Sequence, residues 1–332
     1  MSVLQPDALA AAPSNVVFFK LHKVGGTSFR AAFVQALLKQ PTRYQWSSAD
    51  VEMDSDLLGR GEGSSSDAPM VCAAHQSSLP LLRLFRQPTV LAAASPARVA
   101  MMHHLAGSAR ESDIEKCPLP NGLALRTVIL LRSPMERVIS KYFYEQVWCP
   151  TQLSELAGAQ PPGSEISCAA NELSLLDWYT TASLLVQRTR SPRAAWEPVQ
   201  TVHTNYTRDL DIKCEPLFTL GGGEACDDAT LTAATATLGQ IDVVGITESM
   251  DASMQLTERV FGLEPGSMLA AAAQHSALYS RNNSAHKEAV PTDTYEALAA
   301  LPEMRVERRL YERAVRRFRR DARAWGVALS AT

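Results

Sequence analysis

The chain has 332 residues, 46% hydrophobic and 20% charged, which is enough for one large α/β domain or two small ones with a buried core. Its formal net charge of −3 leaves no basic excess for general nucleic-acid binding, so any anion must be held by a local cluster. No run reaches the ~18–20 apolar residues that span a bilayer. Met1 to Pro13 also lacks the basic start and long apolar stretch of a signal peptide. The expectation is a soluble chain, or one whose targeting segment lies outside it.

Residues 1–14, rich in Ala and Pro, read as a disordered lead to a single domain over 15–330. Asn15 to Lys20 is a short apolar run with β-branched and aromatic residues, so a buried strand. It breaks at Gly25-Gly26, and Thr27 to Leu38 then carries apolar residues at helical spacing. Residues 47–70 are polar and Ser/Gly-rich, a surface loop. Met70 to Ala74 and Arg98 to Met102 read as short strands, and Arg126 to Leu131 as the clearest buried strand. A helix follows over Pro134 to Val147, proline being acceptable in a first turn. Residues 149–172 and 216–228 look loop-like, so insertions are placed near 41–70 and 149–172. Ile241 to Ile246 reads as a strand, Asp251 to Phe261 as an amphipathic helix, and Glu296 to Trp325 as one long helix with an Arg-rich outer face. Strands alternating with helices predict an α/β fold whose parallel sheet is flanked by helices on both faces.

Six cysteines form no C-x-x-C pair, which argues against a zinc or thioredoxin-like site. Their even count and loop-like spacing fit an oxidising compartment, with Cys149/Cys168 and Cys214/Cys226 as candidate bridges; six thiols in a cytosolic chain is the alternative. The sequons at Asn205 and Asn282 point the same way.

Two strand-to-helix junctions carry candidate anion sites. The first reads Lys20-Leu-His-Lys23-Val24-Gly25-Gly26-Thr27-Ser28. Its glycines let successive N–H groups point at one anion, and the following helix adds its N-terminal dipole. Lys23 supplies a full charge, and Thr27 and Ser28 supply hydroxyls. The lysine precedes both glycines, so this is not a Walker A loop. At the second junction Arg132 follows a strand, with Ser140 two helical turns on: a charged fork and a hydroxyl for a phosphate.

The first segment resembles the 5′-phosphosulfate loop of Golgi carbohydrate sulfotransferases, a strand followed by H-K-T-G-G/S-T/S-S/T, with Val24 in place of threonine. The heparan sulfate 2-O and 6-O and the galactose 3-O sulfotransferases are similar to it. The second resembles that family's 3′-phosphate motif, L-R-D-P-x-x-R-x-x-S-x-Y-x-Y, with Ser133 in place of aspartate. Val244-Gly-Ile-Thr-Glu248 is similar to its V-G-L-T-E unit, and Ser280 to Lys287 to its later Asn/Ser/Lys loop, which adds Arg281 and Lys287 as candidate contacts. The resemblance implies a P-loop-like fold, 3′-phosphoadenosine 5′-phosphosulfate (PAPS) as sulfuryl donor, no metal and a glycan acceptor. It also implies a Golgi setting, reached through a membrane segment not seen here.

A base must take the acceptor's hydroxyl proton, and a pKa near operating pH favours histidine or glutamate. Relatives carry a histidine at a similar distance before the arginine, so the expected order is His104, then His103, then His75, with His22 shaping the loop. A kinase or nucleotide hydrolase on the same loop is the rival enzyme reading. A non-catalytic glycan-binding relative is the rival outside enzymes.

Overall fold

The computed structural model describes residues 14–21, 26–39, 44–45, 72–75, 97–103, 124–157, 164–181, 183, 185–189, 195–198, 213–221, 225–279 and 290–329. Its main sheet is wholly parallel. It is built from β1 (Ser14–Lys20), β2 (Tyr44–Gln45), β3 (Cys72–His75), β4 (Ala97–His103), β5 (Ala124–Leu131) and β9 (Val243–Ile246). The order runs β4-β1-β5-β9, with β2 and β3 both paired to β4. β6 (Ser164–Cys168), β7 (Leu185–Thr189) and β8 (Glu197–Pro198) form a separate antiparallel sheet.

Burial explains why the central strands read as unbroken apolar runs. Val128, Ile129, Leu130 and Leu131 are all at most 2% exposed, and neighbours along a strand face opposite sides, so both faces of the sheet are covered there. Helix α1 (Gly26–Leu38) buries Phe29, Ala32, Phe33, Ala36 and Leu37, the spacing of one helical face. Phe29 stacks on Phe18 of β1 at 5.8 Å, and Phe33 meets Phe261 edge-on at 5.1 Å. Phe261 ends α7 (Met250–Phe261), and α8 (Ser267–Tyr279) packs on α1.

Three expectations are corrected. The helix after β5, α2, runs Pro134–Ala157 and carries Pro150 inside it, so 149–157 is not loop. Pro150 is exposed, Cys149 beside it is buried, and the disulfide to Cys168 ties this part of the helix to β6 with a Cα–Cα distance of 6.0 Å. Residues 164–172 are likewise ordered, as β6 and the short helix α3 (Ala169–Glu172), followed by α4 (Leu175–Thr181). Residues 215–221 form helix α5, buried from Glu215 to Leu220. A helix buried all round shows no amphipathic period, which is why the sequence pattern missed it. α6 (Asp228–Leu238) follows, with the Asp227 carboxylate accepting the Thr230 N–H at 2.8 Å.

The last helical stretch is two helices, α9 (Thr292–Ala300) and α10 (Pro302–Ala324). Leu301 is extended at φ −64°, ψ 141°, the conformation that a following proline imposes, and Pro302 starts the next helix. Cys214 and Cys226 are bonded too, their Cα atoms 6.1 Å apart. Both expected pairs are therefore present.

The Cys149–Cys168 link closes a 19-residue separation. Replacing both cysteines by serine is expected to cost about 3 kcal/mol, read as a lower urea midpoint together with a higher m-value, because the unfolded chain without the cross-link exposes more surface.

Candidate functional site

Strand adjacency settles where the two junctions open. β1 and β5 are neighbours, with Phe19 opposite Ile129, so both reach the same carboxyl edge. From β1 the chain moves toward β4; from β5 it moves toward β9. The connections diverge, and a crevice between such strands is where open α/β sheets hold ligands. The first turn of α1 brings Gly26 and Thr27 to this edge, with Ser28 half-buried behind them. Arg132 lies just past β5, and Ser140 sits half-buried farther along α2.

The neighbouring strand ends supply two of the histidines. Lys20 of β1 is opposite His103 of β4, and His103 is opposite His75 of β3, so the three form one row across the carboxyl edge. Lys23, Val24, Gly25, His104, Arg281 and Lys287 lie outside the described residues, as does His22.

Arg132 is largely enclosed, its side chain 13% exposed, and it pairs with Glu136 at 3.5 Å. Burial pulls its guanidinium below the usual arginine value, while Glu136 and Glu248 work the other way. The turn that carries it is held from the neighbouring strand. Thr247, just past β9, donates its hydroxyl to the last carbonyl of β5, Leu131, at 3.1 Å. The Glu248 carboxylate accepts the Ser133 backbone N–H at 2.9 Å and the Tyr311 hydroxyl of α10 at 2.8 Å. The Ser133 carbonyl in turn accepts the Arg137 N–H at 2.9 Å, opening α2.

The rest of that five-residue unit follows from close approach. A Cβ on Gly245 would lie 2.9 Å from Leu130 Cδ1 and 3.2 Å from Ser253 Cβ, so a larger residue between β5 and α7 would have to push the Leu130 tip aside and crowd Ser253. Ser253 then bonds both backbone groups of Ile246, accepting its N–H at 2.8 Å and donating to its carbonyl at 3.0 Å. At the other end of the pairing Asp242 accepts both the N–H and the hydroxyl of Thr127, at 2.7 and 2.9 Å. Val-Gly-Ile-Thr-Glu is thus a buttress that fixes where Arg132 stands.

Sequence reasoning left Arg137 without a role. It is 1% exposed and forms a fork on Glu307 of α10, Nε and Nη2 donating at 3.0–3.1 Å, with Nη1 3.4 Å from Glu215 of α5. The Cys214 N–H also donates to Glu307, at 3.2 Å. Burial works against the Arg137 charge, but the two carboxylates outweigh it and raise its pKa. Two carboxylates share one cation, and burial pushes the Glu307 carboxyl above its ordinary range. The available signal was an arginine among buried neighbours, Met135, Val138 and Ile139, on the inward side of α2.

Beside the Arg132 turn lies a cavity of about 420 Å³, lined by Ser133, Pro134 and Met135 of the α2 entry, Tyr295 of α9, and Met304, Arg308 and Tyr311 of α10. Comparison with known proteins found no family model that matches this chain and no curated protein that matches it.

A group whose folded pKa is raised stabilises the fold below its ordinary pKa, and that contribution is lost as pH rises through the raised value. For Glu307 the ordinary value is about 4.3. Thermal unfolding scans between about pH 4 and 8 are therefore expected to show a declining component that Glu307→Gln flattens. Arg137→Met, which leaves both carboxylates buried without their cation, is expected to cost about 3–5 kcal/mol in denaturant unfolding.

Proposed function

We propose that this chain is a PAPS-dependent sulfotransferase acting on a carbohydrate hydroxyl, with a P-loop-like fold around the β1–β5 crevice. The observation that carries the reading is the adjacency of those two strands. β1, which α1 follows in sequence with Gly26 as its first residue, and β5, whose enclosed Arg132 leads into α2, end side by side at one carboxyl edge. A bisphosphorylated nucleotide has two anionic ends, and two helix N-termini on neighbouring strands suit it.

The residues divide the work as follows. PAPS supplies an activated sulfuryl group whose leaving group is a phosphate. The backbone N–H groups about Gly25, Gly26 and Thr27, with the hydroxyls of Thr27 and Ser28, cradle the 5′ end; Val24 adds only its backbone. Lys23 stabilises charge on the departing phosphate and bridging oxygen. Arg132 and Ser140 take the 3′-phosphate, and Glu136, now 3.5 Å from Arg132, is the carboxylate that a phosphate displaces. Arg281 and Lys287 belong to the same reading as further contacts. His104 is the proposed base for the acceptor proton, ahead of His103 and His75, whose strands end at the same edge.

No metal is part of this reading. Two disulfides are compatible with a lumenal setting such as the Golgi, and membrane attachment would come through a segment outside this chain.

Thermal shift with adenosine 3′,5′-bisphosphate tests the reading against nucleotide kinase or hydrolase chemistry. The bisphosphate is expected to stabilise the chain by about 2.7 kcal/mol at a hundredfold excess over Kd. ATP with magnesium is expected to do nothing comparable, and a preference for ATP would sink the proposal. Arg132→Ala should remove most of the shift. Lys23→Ala should lower turnover by about 10²–10³ with the fold intact. His104→Ala should abolish transfer while keeping the shift; normal turnover would move the base to His103 or His75.

A further inference from the structure

α10 concentrates charge to a degree that the whole chain does not. Nine arginines against four acidic residues give Pro302–Ala324 a charge of +5, inside a chain whose total is −3. The buried side of the helix, Met304, Glu307, Leu310, Ala314, Phe318 and Ala322, faces the core. Opposite it, Arg305, Arg309, Arg316, Arg319, Arg320 and Arg323 are all exposed, together with Arg308. At 100° and 1.5 Å per residue these positions share an arc of about 120° and run for about 27 Å. Glu312, paired with Arg308 at 3.1 Å, is the acidic residue on that arc. Arg309 and Arg320 make exposed pairs with Asp228 and Asp321, of the kind that solvent and salt weaken. Arg305, Arg316 and Arg323 have no ion-pair partner among the described residues.

We infer that this arginine face is a binding surface for a linear polyanionic polysaccharide, one bearing carboxylate or sulfate groups, which runs past the cavity beside Arg132 toward the carboxyl edge of the sheet. The inference rests on the sulfotransferase reading for that edge as the destination. The surface meets the cavity at Arg308, and Tyr311 of the same helix holds the Glu248 that fixes the Arg132 turn. Guanidinium forks suit carboxylate and sulfate groups, and an extended row of them suits an extended chain. A membrane surface fits less well. A helix lying in lipid needs large apolar residues flanking its basic face, and the exposed large hydrophobics among the described residues are Val147 and Tyr295, neither on α10.

The test is binding of chondroitin sulfate chains by the full-length protein over a range of salt, for wild type and for Arg305→Gln/Arg316→Gln/Arg323→Gln. These side chains are exposed and unpaired, so the variant is expected to keep its circular dichroism and its shift with adenosine 3′,5′-bisphosphate. It is expected to bind at least tenfold more weakly, with the salt slope reduced by about 2 if each lost contact releases counterions as on a single-stranded polyanion. The Arg→Lys triple variant should retain binding. Unchanged affinity in the glutamine variant, or absent binding in wild type, overturns the inference. So does tighter binding to a single-stranded oligonucleotide or to phosphatidylserine vesicles at the same salt. Absent polysaccharide binding in the wild type, with its bisphosphate shift intact, removes this surface alone. Absence of that shift in wild type removes the sulfotransferase reading instead.

Discussion

One guanidinium, shut away from water, holds together the elements on which the candidate site stands. Arg137 joins α2 to α10 through Glu307 and to α5 through Glu215. A cation stays in such a place only while its carboxylates do, because removing either side leaves an uncompensated buried charge. The cost of breaking the set is therefore large. That rigidity reaches Arg132, which enters the same helix one turn earlier, and Tyr311, which leaves α10 one turn after Glu307.

A second tier sits on that frame. Thr247 and Glu248, which follow β9, close on the end of β5 and the start of α2. The division is between the candidate site residues and the residues that decide where they stand. Arg132 stands just past the end of β5, and its turn is held by the half-buried Thr247 and exposed Glu248, behind which Gly245 and Ser253 lie in buried packing.

Much of the parallel layer was readable before any coordinates. β1, β4, β5 and β9 are short runs rich in apolar residues, and β5 and β9 lead directly into helix starts. The sequence pattern cuts α2 short at its Cys-Pro pair, and it makes α5 a loop because full burial erases the usual helical signature. The split at Leu301 needed only the proline that follows it. Neighbourhood was harder. Arg132 and the double glycine could each be picked from the sequence, but that their strands pair comes only from the sheet. Arg137 lies among apolar neighbours that mark it as inward-facing, but nothing in the sequence names Glu215 and Glu307 as its partners.

The way Glu248 grips the Arg132 turn has a consequence for what may occupy position 133. The carboxylate takes the peptide N–H there and makes no demand on the side chain. Any residue with a free amide hydrogen can satisfy that bond, so the identity of the amino acid is open to drift while the turn stays put. For that one bond, proline is the residue the grip rules out.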